Sequence, residues 1–295
     1  MKPHFFLKPF ILAILFVTLS FSLSGCFSKS RLISDSATGL FKEIVVSANR
    51  QSDAALVRQA LPSYLLLIDG MIQSYPDNQN LLLAGAQAYV SLASLLDEQE
   101  SNRSALLIQK GKGYALRALE LDPLFKGTVD SPIDAFRDRL ANADASKVPL
   151  LFNVGSIWGT WIAQGPDSVE GMADLPKVEA IIDRLLQLDP DYYYGGPHIF
   201  KGILLSARPV QFGGNLEKAN EHFQQALKDS QGKFLMTSVY YAQYYAKQRL
   251  DRDLFTKTLN GVLNTPVDTD PDLTLMNTLA QEKARKLLSQ ADEFF

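Results

Sequence analysis

The sequence of 295 residues contains little cysteine or histidine, and neither sign of charge dominates it. Its single cysteine cannot form an intrachain disulfide and excludes a zinc site built from several thiolates. With 29 basic and 32 acidic residues, the net charge is -3, so the basic bias of a dedicated nucleic-acid-binding domain is absent. Apolar residues make up 46% of the chain, which is a globular rather than a disordered composition.

Motifs that carry enzyme chemistry are also missing. The sequence has no HExxH, no GxSxG, no P-loop and no GxGxxG after a strand. Beyond the first 25 residues only His198 and His222 remain as histidines, and we interpret both as capping or packing residues. Asp268, Asp270 and Asp272 lack the glycine and terminal glutamate of an EF-hand, which favours helix capping. We therefore expect no enzyme, no catalytic residues, no metal and no cofactor.

The first 26 residues have the order of a secretory signal. Lys2 and Lys8 precede a short apolar run at 10–21, and small residues then lead to Cys26. The run is shorter than the roughly 20 residues that a transmembrane helix needs. An uncleaved helix with a buried cysteine is the alternative interpretation.

The tetrad Leu23-Ser24-Gly25-Cys26 resembles the bacterial lipobox. That resemblance implies cleavage before Cys26 and attachment of a lipid to its thiol, and two or more acyl chains would anchor the protein firmly to a membrane. Which membrane holds the lipid is left open. The predicted organisation is a lipoprotein signal peptide at 1–25, a lipidated tether at 26–30 and a helical-repeat domain at 31–295.

Past the tether, apolar residues recur at spacings of three and four, as in Leu61, Leu65 and Ile68. This period predicts helices with one buried stripe, and alternating strand patterns are scarce. Prolines fall mostly between the periodic segments. The predicted helices span 33–49, 53–74, 79–97, 103–121, 131–141, 148–163, 174–188, 196–207, 214–229, 233–248, 251–263 and 271–292.

Three of these helices end alike, at 115–123, 182–190 and 219–227. Their small residues at spacings of three and four resemble the second helix of a tetratricopeptide repeat, and Gly85 and Gly202 are candidates for the small residue of the first helix. The repeat spacing departs from a strict 34-residue period. The sequence therefore predicts an all-α, irregular tetratricopeptide-like domain of about 10–12 helices with one continuous core.

Aromatic residues give the best candidates for a binding site. Two tryptophans lie three residues apart, and tyrosines at 240–245 form two pairs at spacing four. Ordinary helix packing is the alternative, but tyrosine hydroxyls often face a groove because a buried hydroxyl needs a partner. Such a groove would suit a small apolar or amphipathic molecule or a partner's side chains, with an arginine for a carboxylate. The candidate groove residues are Trp158, Trp161, Tyr240, Tyr244 and Arg208.

Gly155 and Gly159, at spacing four, predict a close contact between two helices. That contact would position Trp158 and Trp161. The flanks are too polar and too short for a membrane span.

Several short motifs follow one another along almost the whole mature chain. They include Leu61-Pro62-Ser63-Tyr64, Gly113-Tyr114-Ala115-Leu116, Gly155 through Ile162, Gly195-Gly196-Pro197, Gly213-Gly214-Asn215 and Asn277-Thr278-Leu279-Ala280. In their order and spacing they resemble the T components of TRAP transporters, which are TatT-like periplasmic lipoproteins. The repeat pattern departs from the expected one at Leu185, where a small residue is usual, and at Gln231, where proline is usual.

The resemblance implies a helical protein tethered in the periplasm by the lipid at Cys26. It implies a homo-oligomer, with a trimer as the expected state, and association with a TRAP solute-binding protein (the P component). It also implies exchange of a small hydrophobic or organic-acid ligand, and no nucleic-acid partner. The alternative is a tetratricopeptide-like lipoprotein scaffold for an outer-membrane assembly complex, which the anchor and repeats fit equally well.

Overall fold

A computed structural model of the chain describes residues 39, 41, 43–96, 100–165 and 168–295. The predicted signal peptide and tether, with Cys26, lie outside the described residues. The chain divides into two compact units, Met1–Val45 and Val46–Phe295. Everything below concerns the second unit.

The described secondary structure is helical and contains no strand between residues 43 and 295, leaving aside 97–99 and 166–167. The all-α prediction is therefore confirmed, and the element order is consistent with a helical-repeat domain. The helices are α1 (Ala54–Ser74), α2 (Gln79–Ser94), α3 (Ser101–Leu121), α4 (Ile133–Ala141), α5 (Val148–Gln164), α6 (Val169–Leu188), α7 (Tyr192–Ala207), α8 (Leu216–Asp229), α9 (Met236–Tyr240), α10 (Arg252–Asn264), α11 (Thr274–Ser289) and α12 (Ala291–Phe294).

Two predicted helices differ from the observed ones for identifiable reasons. Helix α6 begins five residues before the predicted start, because the Ser168 hydroxyl accepts from the Gly171 N–H and caps it, and Pro176 then lies inside the helix. The predicted helix 233–248 is α9 followed by a π-helical turn, Tyr241–Ala246. A single inserted residue produces such a turn, which a 3.6-residue period does not reveal.

Glycines bring consecutive helices together at several points. A side chain at Gly155 would lie 2.9 Å from Ile181, which confirms the predicted close contact of α5 with α6. Gly202 of α7 contacts the ring of Phe223 in α8 in the same way. Because no Cβ intervenes, these helices approach closely enough for continuous packing.

The core consists of two main apolar clusters. The first is built around Leu119, Leu151 and Trp158, from α3 and α5. The second is built around Val239 and Phe255, from α9 and α10. An aromatic row between them, described below, joins the two clusters.

Helix α1 is the one described helix that is long and apolar enough to cross a membrane by length and composition. It nevertheless packs within the bundle. Its Asp69 carboxylate accepts from the hydroxyls of Tyr89 and Tyr114 and from the Lys110 ammonium at 2.6–2.8 Å. These bonds fix α1 against α2 and α3, while Leu66 remains 76% exposed.

Candidate functional site

The two tryptophans of the candidate groove share one polar network. Trp158 is buried, and its indole N–H donates to Asp174 at 2.7 Å. The Lys112 ammonium donates to the same carboxylate oxygen at 2.7 Å and lies 3.2 Å from the centre of the Trp161 ring. The polar atoms of this group therefore have partners within the fold, and the network joins α3, α5 and α6.

Arg208, the predicted carboxylate-binding arginine, follows α7. Its guanidinium forms an ion pair with Glu179 of α6, and burial lowers its pKa. Its charge is thus neutralised by a residue of the same chain.

The two tyrosine pairs have different surroundings. Tyr241 and Tyr245 are buried and stack with ring centres 5.0 Å apart, and Tyr241 also packs edge-on against Phe223. Tyr240 and Tyr244 lie next to each other at 6.1 Å and are only half-buried. Trp161 and Arg208 are part-buried to a similar degree, but each has a charged partner within the fold.

An unusual backbone turn supplies a third tyrosine. At the start of α7, Tyr193 (φ 49°), Tyr194 (φ 60°) and Gly195 (φ 77°) are all left-handed. A left-handed conformation costs a non-glycine residue roughly 1–2 kcal/mol, so two successive tyrosines store a substantial strain. Such strain persists only where surrounding contacts impose it, and it often marks a functional position.

The two glycines of this turn are packed closely against neighbouring helices. A side chain at Gly195 would lie 2.9 Å from the Cα of Ala226, and one at Gly196 would lie 2.4 Å or more from the Phe152 ring, inside contact distance. The rings beyond them form a continuous aromatic row, with Phe152 5.5 Å from Tyr193 and Tyr193 5.8 Å from Phe234. The row connects α5 with the segment before α9.

Tyr193 also contributes to the raised pKa of Tyr240. The ammonium of Lys283, on α11, lies 5.0 Å from the centre of the Tyr240 ring. We call this group the tyrosine recess. It comprises Tyr193, Phe234, Tyr240, Tyr244 and Lys283.

Burial shifts the pKa values of the titratable side chains in the recess. Tyr193 leaves 46% of its surface exposed, yet burial raises the pKa of its hydroxyl. Burial likewise raises the pKa of Tyr244, and it raises that of Tyr240 to about 12. Burial lowers the pKa of Lys283 to about 8, with a further contribution from Lys286.

Sequence reasoning missed Lys283 and Phe234. One signal for Lys283 was present: it lies four residues after Leu279 and four before Leu287, in the apolar stripe of α11. A lysine in a buried stripe is unusual and indicates either a hidden partner or a binding role. Nothing in the sequence placed Phe234 beside Tyr193.

A separate groove of about 490 Å³ lies between α3 and the loop after it. It is lined by Leu82, Leu116 and Arg117, among others, and by none of the predicted groove residues. The Arg117 guanidinium donates to the carbonyl of Pro76, and Glu120 accepts from the backbone N–H of Val129. Arg117 and Glu120 therefore hold the loops beside this groove.

The two histidines form a pair between α7 and α8. Their Nδ1 atoms are 2.8 Å apart, so one ring donates an N–H and the other accepts. Burial lowers the pKa of His198, and it lowers the pKa of His222 to about 4, with a contribution from His198. Within the described part of the chain no third histidine, cysteine or carboxylate completes a metal site.

This histidine pair predicts a loss of stability in mild acid. Because the folded pKa values lie below the unfolded value of about 6.5, the stabilisation is complete above pH 6.5 and disappears as the pH falls towards 4. We expect roughly 1 kcal/mol, since both rings are partly solvated and their shifts are screened. Urea unfolding of wild type and His222→Asn at pH 7 and pH 5 measures it. An equal loss of stability in both proteins would rule out this origin.

Comparison with known proteins places these features in context. The family model described as TRAP transporter T-component matches residues 50–295. The chain is also 24% identical over 262 residues to an uncharacterized protein of Treponema pallidum (strain Nichols), a match that covers 83% of this chain and 81% of that protein.

Proposed function

Because the chain belongs to the TRAP transporter T-component family, we propose that it is the periplasmic, lipid-anchored accessory protein of a TRAP transport system, which scaffolds a solute-binding protein and exchanges a small ligand with it. The observation that carries this proposal is the family match, which spans both apolar clusters and every residue of the recess. The lipobox-like tetrad supports attachment through Cys26.

The ligand would occupy the tyrosine recess. Trp158 and Arg208 have partners within the fold, whereas half-buried Tyr240 and Tyr244 belong to the same aromatic group as strained Tyr193. Aromatic walls with a few polar groups are typical of sites for small amphipathic molecules. The homo-oligomer, and a trimer in particular, belongs to the same proposal.

Crosslinking mass spectrometry in native envelopes tests the partner. With a tagged full-length protein, we expect crosslinks to a TRAP solute-binding protein. A Cys26→Ser variant should be released from the membrane or remain unprocessed while its domain stays folded, because Cys26 precedes the helical domain in the sequence. Retention and normal processing of this variant would refute lipidation.

The second candidate is a scaffold for outer-membrane assembly, which the predicted anchor and helical repeats also favour. Recovery of outer-membrane assembly proteins, without any solute-binding protein, would support it and overturn the transport proposal. Detection of the solute-binding protein alone would exclude it.

A further inference from the structure

The groove of about 490 Å³ beside α3 has the size of a site for a small organic molecule. Its apolar lining is aliphatic and comprises Leu82, Leu116, Leu121 and Val129. Leu82 is fully buried, whereas 37% of Leu121 is exposed, so the lining includes both buried and accessible apolar surface. The apolar part of a ligand in this groove would be removed from water, which favours binding.

The walls of the groove are held by contacts between its own residues. The Arg117 guanidinium donates to the Pro76 carbonyl at 3.0 Å, which ties α3 to the turn between α1 and α2. The Glu120 carboxylate accepts from the N–H groups of Gly127 and Val129, and it thereby fixes the loop after α3. A groove held in this way is formed before a ligand arrives, which lowers the entropic cost of binding.

The charge of the lining is negative. Asp77, Glu120 and Asp130 contribute three carboxylates, against one guanidinium from Arg117. The Lys177 ammonium donates to a carbonyl of the same loop but does not line the groove, and even with it the acids outnumber the bases. Neither Asp77 nor Asp130 has a hydrogen-bonding or ionic partner among the residues that the structure describes. Uncompensated carboxylates beside aliphatic surface favour a cation with an apolar part and disfavour an anion.

The lining also distinguishes among kinds of cation. Within residues 43–96, 100–165 and 168–295 no group of three carboxylates, histidines or cysteines could hold a metal ion, which argues against an inorganic divalent cation. Quaternary ammonium groups are bound by aromatic cages, and the described lining of this groove contains no aromatic ring. A primary ammonium instead donates up to three hydrogen bonds, and carboxylate oxygens are its strongest acceptors.

We propose that the groove binds a small primary alkylammonium ion. Its alkyl chain lies against Leu82, Leu116 and Val129, and its ammonium donates to Asp77 and Asp130. This site shares no residue with the tyrosine recess. It gives the chain a second binding function, for a positively charged amine, which is independent of the proposed role in transport.

Calorimetric titration of the purified protein at pH 7 with hexylammonium and 1-hexanol tests the role of the charge. We expect hexylammonium to bind at least tenfold more tightly, because only the ammonium forms charge-assisted hydrogen bonds with carboxylates. Hexyltrimethylammonium should bind at least fivefold more weakly than hexylammonium, since it carries the charge without a donor. Butylammonium should also bind at least fivefold more weakly, because its chain has two fewer methylenes to remove from water.

Asp77→Asn and Asp130→Asn test the two carboxylates. Each variant should weaken hexylammonium binding at least fivefold and change 1-hexanol binding less than twofold. Asp134→Asn is the matched control, because it removes the same charge four residues further along the chain, from an 89% exposed side chain outside the groove. It should alter neither affinity, and circular dichroism verifies that all three variants fold.

Carbodiimide coupling gives a second measurement that needs no variant. A bound amine lies beside the carboxylate to which it becomes linked, so hexylamine should label Asp77 and Asp130 several-fold more than Asp134 in peptide mass spectrometry. Ethylamine has little apolar surface and should show a much smaller preference. Equal preferences of the two amines would overturn the proposal.

Three results of the titrations would also overturn it. These are absence of hexylammonium binding, equally tight binding of 1-hexanol, and equal hexylammonium affinity in wild type and either groove variant. Tighter binding of hexyltrimethylammonium than of hexylammonium would overturn the assignment to a primary amine. Because these measurements use the isolated protein, their outcome is independent of whether crosslinking in envelopes recovers a solute-binding protein.

Discussion

Replacing Gly195 by alanine is expected to lower the free energy of unfolding by about 3 kcal/mol, from left-handed strain and overpacking together. Gly195 has a φ of 77°, and an added Cβ would lie 2.9 Å from the Cα of Ala226. That neighbour is backbone of α8, so it cannot move aside as a flexible side chain would. Chemical denaturation of the purified domain measures the loss.

Gly232→Ala is the matched control for this prediction. Gly232 has a similar φ of 73°, but nothing lies within 4 Å of its added Cβ. The free energy of unfolding of Gly232→Ala should therefore fall only by the cost of the left-handed conformation, roughly 1 kcal/mol. Equal losses at the two positions would show that contact with α8 contributes nothing.

Replacing Asp174 by alanine is also expected to lower the free energy of unfolding strongly, by roughly 3 kcal/mol. The Lys112 side chain is only 12% exposed, so its ammonium would lose its counter-charge inside the fold. The indole N–H of buried Trp158 would lose its acceptor at the same time. Denaturant unfolding measures the loss, and tryptophan fluorescence reports the altered surroundings of Trp158.

Two comparisons separate the causes of this loss. Asp174→Asn keeps an acceptor for the indole but removes the charge. Its free energy of unfolding should therefore lie between those of the wild type and Asp174→Ala. Asp183→Ala removes the ion pair between Asp183 and Lys201. Because the Asp183 side chain is 52% exposed, this variant should lower the free energy of unfolding by at most about 1 kcal/mol. A similar small loss at Asp174 would contradict the structural role assigned to the network.

The sequence predicted the helices well because apolar spacing and capping residues are signals carried by neighbouring residues. Apolar spacing located α1 and α8, and the structure shows Asn215 and Asp251 as the residues that cap α8 and α10. The aspartates at 268–272 also cap a helical turn, as predicted, since the Asp270 carboxylate accepts from the Asp272 N–H. The family resemblance, stated from the order of short motifs, is confirmed over residues 50–295.

The candidate groove was predictable only in part. Sequence spacing put Tyr240 and Tyr244 on one face of a helix, and their neighbourhood is consistent with that prediction. The same spacing could not distinguish them from Tyr241 and Tyr245, because a pair at spacing four looks the same whether it faces the core or a recess. Lipid attachment at Cys26 stays a prediction.

The sequence by itself determined the all-α fold, the approximate limits of the helices and the family, because periodicity, capping and motif order are properties of neighbouring residues. The tertiary structure decided which aromatic residues are structural and which line the recess. Asp174 engages Trp158 from another helix, Ala226 and Phe152 impose the left-handed turn, and Lys283 meets Tyr240 across α11 and α9. These contacts join residues 16 to 44 positions apart, and a one-dimensional pattern carries no information about which helix faces meet.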